Sequence, residues 1–422
     1  MSFRPARSRA LAAAILGGAL ASSIPSGRAW ADPAPPYLEL LRQSQTTSPR
    51  LAESKSDVAR ATGLAQQAGV RPNPVIGLEA EDFAGSRPYT GIDRSQFTLS
   101  ASQALELGGK RPARIAAGAA SIEAARLLLV QARNDYAGAL ASSYLQAEVA
   151  DRRLVLANGA LQLAEEDARI AQVLVTSGKE AELRGLQAQT VVNTARAEIG
   201  LAQAERSAAL STLTALSGSP VSFTSLAGSL LAHAAVLETV VAPDPLETPA
   251  YLAAKAQREA AAKRVRVEQT RATPDLTVSV GVRRIQESDA TDFVAGVSLP
   301  FPVFDRNRGA ISAARAELQG AEARLNGARL DAEASIRSAT ARLSASQGRV
   351  SAAQDAERTG QEAYRLTRIG YQAGKLPLIE LLNARRAVSD AALQTLNASV
   401  ERLNAEAELA RLQGRTPFGD HP

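Results

Sequence analysis

The sequence predicts a mainly α-helical chain with a small β part, built as a two-fold internal repeat of long antiparallel helical hairpins, each preceded by a pair of short strands. Three observations predict it. Two halves align in one register: Pro49 matches Pro249 and Pro74 matches Pro274 at a shift of 200, after which the shift becomes 196. At that shift Phe97 matches Phe293, Ser102 matches Ser298, Ile115 matches Ile311, Arg169 matches Arg365, Leu216 matches Leu412 and Gly218 matches Gly414. Each half also holds an Ala-rich stretch of about 65 residues without proline, and two short runs in which apolar and small polar residues alternate. A repeat of this length fixes the fold class before any local reading.

Residues 1–31 read as a secretory signal. Arg4, Arg7 and Arg9 form a positive start, Ala10 to Ile24 is small and apolar, and Ala29-Trp30-Ala31 offers a cleavage site before Asp32. The apolar run is too short to span a bilayer and ends at Pro25. No Cys follows the site, which excludes a lipid-anchored form. The expected organisation is then a first repeat over 32–216, a connector over 217–248, a second repeat over 249–414 and a tail over 415–422.

Each repeat opens with a helix, Leu51 to Gln67 and Tyr251 to Gln269, with Pro49 or Pro249 at its start and Pro72, Pro74 or Pro274 beyond its end. Two alternating segments follow. Leu276, Val278 and Val280 fall on one face with Thr277, Ser279 and Gly281 on the other; Phe293, Ala295, Val297, Leu299 and Phe301 oppose Gly296 and Ser298. In the first half Ile76 and Leu78, then Phe97, Leu99 and Ala101 against Thr98, Ser100 and Ser102, do the same. The Ala-rich stretches Ala113 to Thr176 and Ala310 to Gln372 would each make a helix roughly 100 Å long, far beyond a compact domain. Apolar positions step by seven in Ile311, Leu318 and Leu325 and again in Ile336, Leu343 and Val350, with an eleven-residue step between, the pattern of nearly straight packed helices. Turns at Ser177-Gly178-Lys179 and Ala373-Gly374-Lys375 reverse the chain into second helices of about 37 residues. The loops Ala84 to Arg94 and Gln286 to Asp292 join the strands.

Composition narrows the chemistry. The 422 residues are 45% hydrophobic, 22% charged and 4% aromatic, with no Cys, one Met and two His. There is no material for a disulfide framework, a thiolate site or a Cys nucleophile, and His233 and His421 stand alone in the connector and the tail. The formal charge of +5 falls to about +1 once the four arginines of residues 1–31 are set aside, which removes the case for nucleic acid. Gly108-Gly109-Lys110 lacks the spaced glycine and the following Ser or Thr of a phosphate loop. Nothing points to a catalytic residue, a cofactor or a bound metal.

Strands of about ten residues with one apolar and one small polar face have the length and pattern of tilted barrel staves around a wet lumen. Four cannot close a barrel, and lipid permits no open edge. Three chains would supply twelve.

Pro72-Asn73-Pro74, the junction Val297-Ser298-Leu299-Pro300-Phe301-Pro302-Val303-Phe304-Asp305-Arg306-Asn307 with Gly309, and the paired Gly-Lys turns resemble the TolC-type outer membrane factors, most of all their CzcC-like heavy-metal efflux branch. The resemblance covers the whole chain after the signal. It implies a homotrimer with a shared twelve-stranded transmembrane β-barrel in the outer membrane and a periplasmic α-barrel tunnel. It implies a duct rather than an enzyme, joined through a periplasmic adaptor protein to an inner-membrane RND-type transporter, and exporting divalent cations such as cobalt, zinc or cadmium.

The same resemblance places Gly178, Lys179, Gly374 and Lys375 at the tip that meets the adaptor, although a Gly-Lys pair is also what a plain helix stop requires. It aligns Glu380 and Asn383 with two acidic positions of the tunnel constriction; only Glu380 is acidic here, and Arg184 and Gln187 match them in the first repeat. Three Glu380 carboxylates would form a cation-favouring ring, and Arg184 could instead neutralise them as a clasp. Leu276, Val278, Val280, Phe97, Leu99, Phe293 and Val297 are expected to face lipid. Other readings stay open at this point: a channel for drugs or secreted substrates, or a soluble periplasmic coiled-coil adaptor or scaffold. An adaptor would carry one hairpin rather than two.

Overall fold

The computed structural model of the chain describes residues 32–235 and 243–419; the expected signal over 1–31 and His421 lie outside the described residues. The elements run α1 (Tyr37–Thr47), α2 (Pro49–Ala68), β1 (Val75–Glu81), β2 (Gln96–Leu105), α3 (Lys110–Thr176), α4 (Glu182–Ser217), α5 (Pro249–Arg271), β3 (Leu276–Ile285), β4 (Ala290–Ser298), α6 (Arg308–Gln372) and α7 (Leu378–Leu412). From α2 onward the order occurs twice, so the repeat seen in the sequence is a repeat of structure. Helix α1 precedes this repeated order.

Local chemistry sets these boundaries. Pro49 and Pro249 occupy first turns, where a missing N–H costs nothing, and the Thr248 hydroxyl accepts from the Tyr251 amide at 3.4 Å. Gly109 and Asn307, both with positive φ, turn the chain from strand into the 67-residue α3 and the 65-residue α6. Lys110 is held by Asp275 at 2.7 Å, a structural pairing in place of any phosphate loop.

The four strands form one antiparallel sheet in chain order, with β2 and β3 joining the two repeats. Leu78, Leu99, Val282 and Phe293 share one row across it, and Ile76, Ala101, Val280 and Ala295 the next. This face is bare in the single chain: Phe293 is 90% exposed, Ile76 77% and Val297 70%. The opposite face carries the rows Gly77, Ser100, Gly281, Val294 and Glu79, Thr98, Arg283, Asp292. Gly281 is required, because a Cβ there would lie 2.7 Å from the Leu99 carbonyl.

Three strand expectations need correction. Strand β4 ends at Ser298, so Leu299 and Phe301 lie beyond it; Pro300 and Pro302 have no N–H to continue the ladder. It also begins at Ala290, which shortens the loop to 286–289 and places Asp292 in the sheet opposite Arg283. Strand β1 has seven residues rather than about ten, stopping where Asp82 takes a positive φ.

The main core sits midway along the helices. Leu140, Tyr144 and Leu145 of α3 pack with Leu210 and Leu213 of α4 and Leu403 of α7, and Tyr37, Leu40 and Leu41 of α1 close over them. Emptying such a site, as in Leu213→Ala, costs about 2–5 kcal/mol. The segment after α4 belongs to this core. Gly228 exchanges two hydrogen bonds of 3.1 Å with the Tyr144 hydroxyl, and the buried Glu148 carboxylate accepts the Leu230 and Leu231 amides at 2.7 and 3.1 Å and the Ser229 hydroxyl. The Ala34 amide donates to Ser225 at 2.8 Å. The connector residues from Ser225 to Leu231 are therefore fastened to the core. Away from these contacts the hairpins rely on small residues, as in Ala164, Val192 and Ala195 between α3 and α4, which let the helix axes approach closely.

Candidate functional site

A polar surface on the sheet and the far ends of the two hairpins carry the chain's charged side chains into defined positions. On the sheet, Arg283 lies across its row: its guanidinium donates to Thr98 Oγ1 at 3.1 Å and Gln96 Oε1 at 3.3 Å and pairs with Glu81 at 3.3 Å. Glu79 and Asp292 share that row. The result is a wet face with mixed charge, opposite the bare apolar face one residue away along each strand.

The hairpin turns are built alike. At the end of α3 the Gly178 amide donates to Val175 at 3.0 Å and the Lys179 amide to Leu174 at 2.9 Å; at the end of α6 the Gly374 amide donates to Tyr371 and the Lys375 amide to Gly370, both at 2.9 Å. This double bond pattern needs a left-handed residue after the helix, supplied by Gly178 at φ +73° and Gly374 at φ +69°. Lys179 and Lys375 then project into solvent beside helix carbonyl ends.

Glu380 stands exposed in the first turn of α7 and Asn383 is exposed one turn later. In α4, Arg184 is half-buried and donates to Gln187 at 3.1 Å. Within one chain Arg184 thus bonds its own helix neighbour.

Above the turns lies a charged cluster that the sequence reading missed. Asp167 of α3 is 1% exposed, accepts the Tyr364 hydroxyl of α6 at 2.9 Å and faces Arg385 of α7 at 3.7 Å. Beside it Glu166 pairs with Arg368 at 2.9 Å. Burial lifts the Asp167 carboxyl to about 6, with Tyr364, Arg385 and Arg368 opposing the rise. Burial and the nearby carboxylate also raise the Tyr364 hydroxyl. Two turns on, Tyr371 is buried and its hydroxyl has no hydrogen-bond partner among the described residues; burial and Glu180 push that hydroxyl upward while Arg184 opposes them. These contacts tie the first hairpin to the second. A signal for them existed: at the 196 shift Tyr364 and Tyr371 align with Ala168 and Val175, and Asp167 with Ala363, so the cluster sits where the two repeats differ.

Among the described residues no three His, Asp or Glu side chains are grouped to hold a metal. His233 is exposed, with its ring 6.2 Å from that of Phe418.

A sheet with one bare apolar face, joined to helices of about 100 Å that carry a charged inner network, defines a membrane-embedded conduit. The outer membrane efflux protein family model matches residues 40–219 and 246–415, and the chain belongs to that family. The nickel-cobalt-cadmium resistance protein NccC of Alcaligenes xylosoxydans xylosoxydans is 39% identical over 394 residues, covering 93% of this chain and 90% of that protein. The cobalt-zinc-cadmium resistance protein CzcC of Cupriavidus metallidurans is 31% identical, covering 86% of each. The Neisseria gonorrhoeae MtrE outer membrane channel, solved in its open state, shares the fold with a TM-score of 0.75 at 19% identity over 92% of this chain and 90% of that one.

Proposed function

We propose that three copies of the chain close their sheets into one twelve-stranded outer membrane barrel above a periplasmic helical tunnel. The assembly is the exit duct of an RND-type tripartite pump for divalent heavy-metal cations. The observation that carries this reading is the two-faced sheet: a continuous apolar surface through Ile76, Leu99, Val280 and Phe293, backed by the polar rows around Ser100 and Arg283. A monomer gains nothing from displaying that face to water, whereas a closed barrel turns it to lipid and the polar rows to the lumen. Phe97, Leu99, Leu276, Val278, Val280, Phe293 and Val297 are then the lipid-facing residues.

The cargo follows from the relatives, whose names carry nickel, cobalt, cadmium and zinc. A duct works by passage and gating, performs no covalent chemistry and must not retain its cargo, which suits a wall without a chelating group. The Gly178-Lys179 and Gly374-Lys375 turns meet the adaptor, Glu380 lines the narrow end, and the Asp167–Tyr364–Arg385 contacts hold the two hairpins together there. The test is complementation. In a strain with the pump's adaptor and transporter but no other channel, this chain restores growth in cobalt, zinc, cadmium or nickel. Failure to do so with the assembled protein present in the outer membrane would remove the metal reading.

A further inference from the structure

We infer that the part of the tunnel next to the barrel carries two anion-favouring rings, one of Arg264 and one of Arg324 from each copy, which draw small inorganic anions into the lumen beside the outgoing metal cations. The inference rests on the duct reading proposed above. Helices α2, α3, α5 and α6 together border one concave surface, and Gly118, Arg264 and Glu317 belong both to its stretch near the sheet and to its stretch farther away. This surface continues the polar face of the sheet. Glu106, next on the alternation of Ser100, Ser102 and Ala104, pairs with Arg114 at its edge. The concavity is therefore the wall of the lumen and not the outside of the tunnel.

The two repeats put different chemistry on this wall. At the shift of 200 Arg264 stands where the first half has Leu64, and at the shift of 196 Arg324 stands where it has Leu128. All four line the same surface and all are exposed. Around a trimer each level then alternates leucine with arginine. The other arginines of the wall are already neutralised: Arg60 by Asp57 at 3.0 Å, Arg271 by Glu268 at 2.7 Å, and Arg114 by Glu106. Arg264 and Arg324 form no ion pair among the described residues, and Glu317 is the one lining carboxylate left to oppose them. Glu317 precedes Arg324 by two turns of α6, about 10 Å along the axis, farther than the roughly 8 Å over which salt screens a charge. Each copy thus contributes a surplus positive charge to a wall otherwise made of Ala, Ser, Gly, Leu and Gln. A guanidinium keeps its charge at any periplasmic pH, and its N–H fork fits oxyanions such as phosphate. Fixed cations in a narrow wet passage raise the local concentration of such anions, and a stream of divalent cations needs them to keep the lumen neutral.

The sequence's one Trp, Trp30, lies within residues 1–31, so the exported chain with Leu128→Trp carries a single indole, placed on this wall. Its quenching by iodide and by caesium is measured on the native particle in detergent and scaled to free N-acetyltryptophanamide, with Val280→Trp in parallel. The Leu128→Trp protein should favour iodide by roughly two- to ten-fold, as expected of three guanidinium groups about 8 Å away after screening. Millimolar inorganic phosphate should suppress the iodide quenching. Arg264→Gln with Arg324→Gln should remove the preference, and Lys at both positions should keep it. Equal or caesium-favoured quenching, or none by either ion, with Val280→Trp shielded from both, overturns the rings alone. An iodide preference unmoved by the two Gln substitutions overturns the role of these arginines. Phosphate competition needs no arginine variant, so if the Gln pair does not assemble, iodide quenching unmoved by phosphate overturns the rings. Val280→Trp open to both ions overturns the barrel reading and the rings with it.

Discussion

Neighbouring residues of β3 should respond oppositely to the same substitution. Val280 is 59% exposed in the single chain, with Ala101 and Ala295 as its cross-strand partners. Ser279 points to the other face, between Ser102 and Gly296, and its hydroxyl donates to the Gly296 carbonyl at 3.3 Å. Arginine on a lipid face near the bilayer midplane costs about 2–4 kcal/mol per chain. Three chains in one barrel multiply this to about 6–12 kcal/mol, comparable with the whole stability of an ordinary domain. Arginine at 279 instead enters the wet lumen and loses one neutral hydrogen bond, about 1 kcal/mol. The assay is the amount of heat-modifiable oligomer in isolated outer membranes, with total protein measured in parallel. Val280→Arg should abolish the oligomer, and Ser279→Arg should keep most of it. Equal loss at both positions, or greater loss at 279, would refute the assignment of faces.

The buried Asp167 predicts a pH dependence. Its carboxyl is lifted from an ordinary 3.8 to about 6, so between those values the folded chain holds a proton that the unfolded chain has lost. Stability therefore falls as pH rises through that window, by roughly 3 kcal/mol in all, and Asp167→Asn should flatten that part of a thermal-midpoint curve followed by helical signal. Tyr364→Phe removes the 2.9 Å bond to the same carboxylate at a cost of about 1–3 kcal/mol and should loosen the link between the hairpins, read as more frequent open-channel events in planar bilayers. Glu380→Gln should lower cation over anion permeability, read from the reversal potential in a salt gradient. A carboxylate about 8 Å from a passing cation attracts it by about 0.5 kcal/mol in water, so a ring of three is worth roughly two- to ten-fold after screening.

Long-period features were legible in the sequence. The 196-residue register, the proline-framed helices and the unbroken Ala-rich stretches set the element order, because each is a backbone property written in many residues at once. The strand faces were legible for the same reason, as Val278, Val280 and Thr277, Ser279 alternate without a slip. What escaped departed from the repeat. Helix α1 has Tyr37, Leu40, Leu41 and Ser44 at helical spacing, but it lies ahead of the proline-framed helix at which the aligned register begins. The connector looked polar and Gly-rich, and the binding of Gly228 to Leu231 to the core depends on Tyr144 and Glu148, more than eighty residues earlier in the chain. The Asp167 cluster joins α3, α6 and α7, with Asp167 and Tyr364 197 residues apart, a juxtaposition set by how the hairpins pack and invisible to any local pattern. At the far end of β4, alternation alone carried the strand to Phe301, although Pro300 and Pro302 had already withdrawn two ladder donors.

The central claim is that a four-stranded sheet with one bare apolar face is completed only by other copies of itself. The most direct measurement is the protein mass of the native particle extracted from outer membranes in mild detergent, corrected for bound detergent. The account predicts three chains per particle. A water-soluble single chain would contradict it, leaving the apolar face through Ile76, Leu99, Val280 and Phe293 exposed without a physical reason.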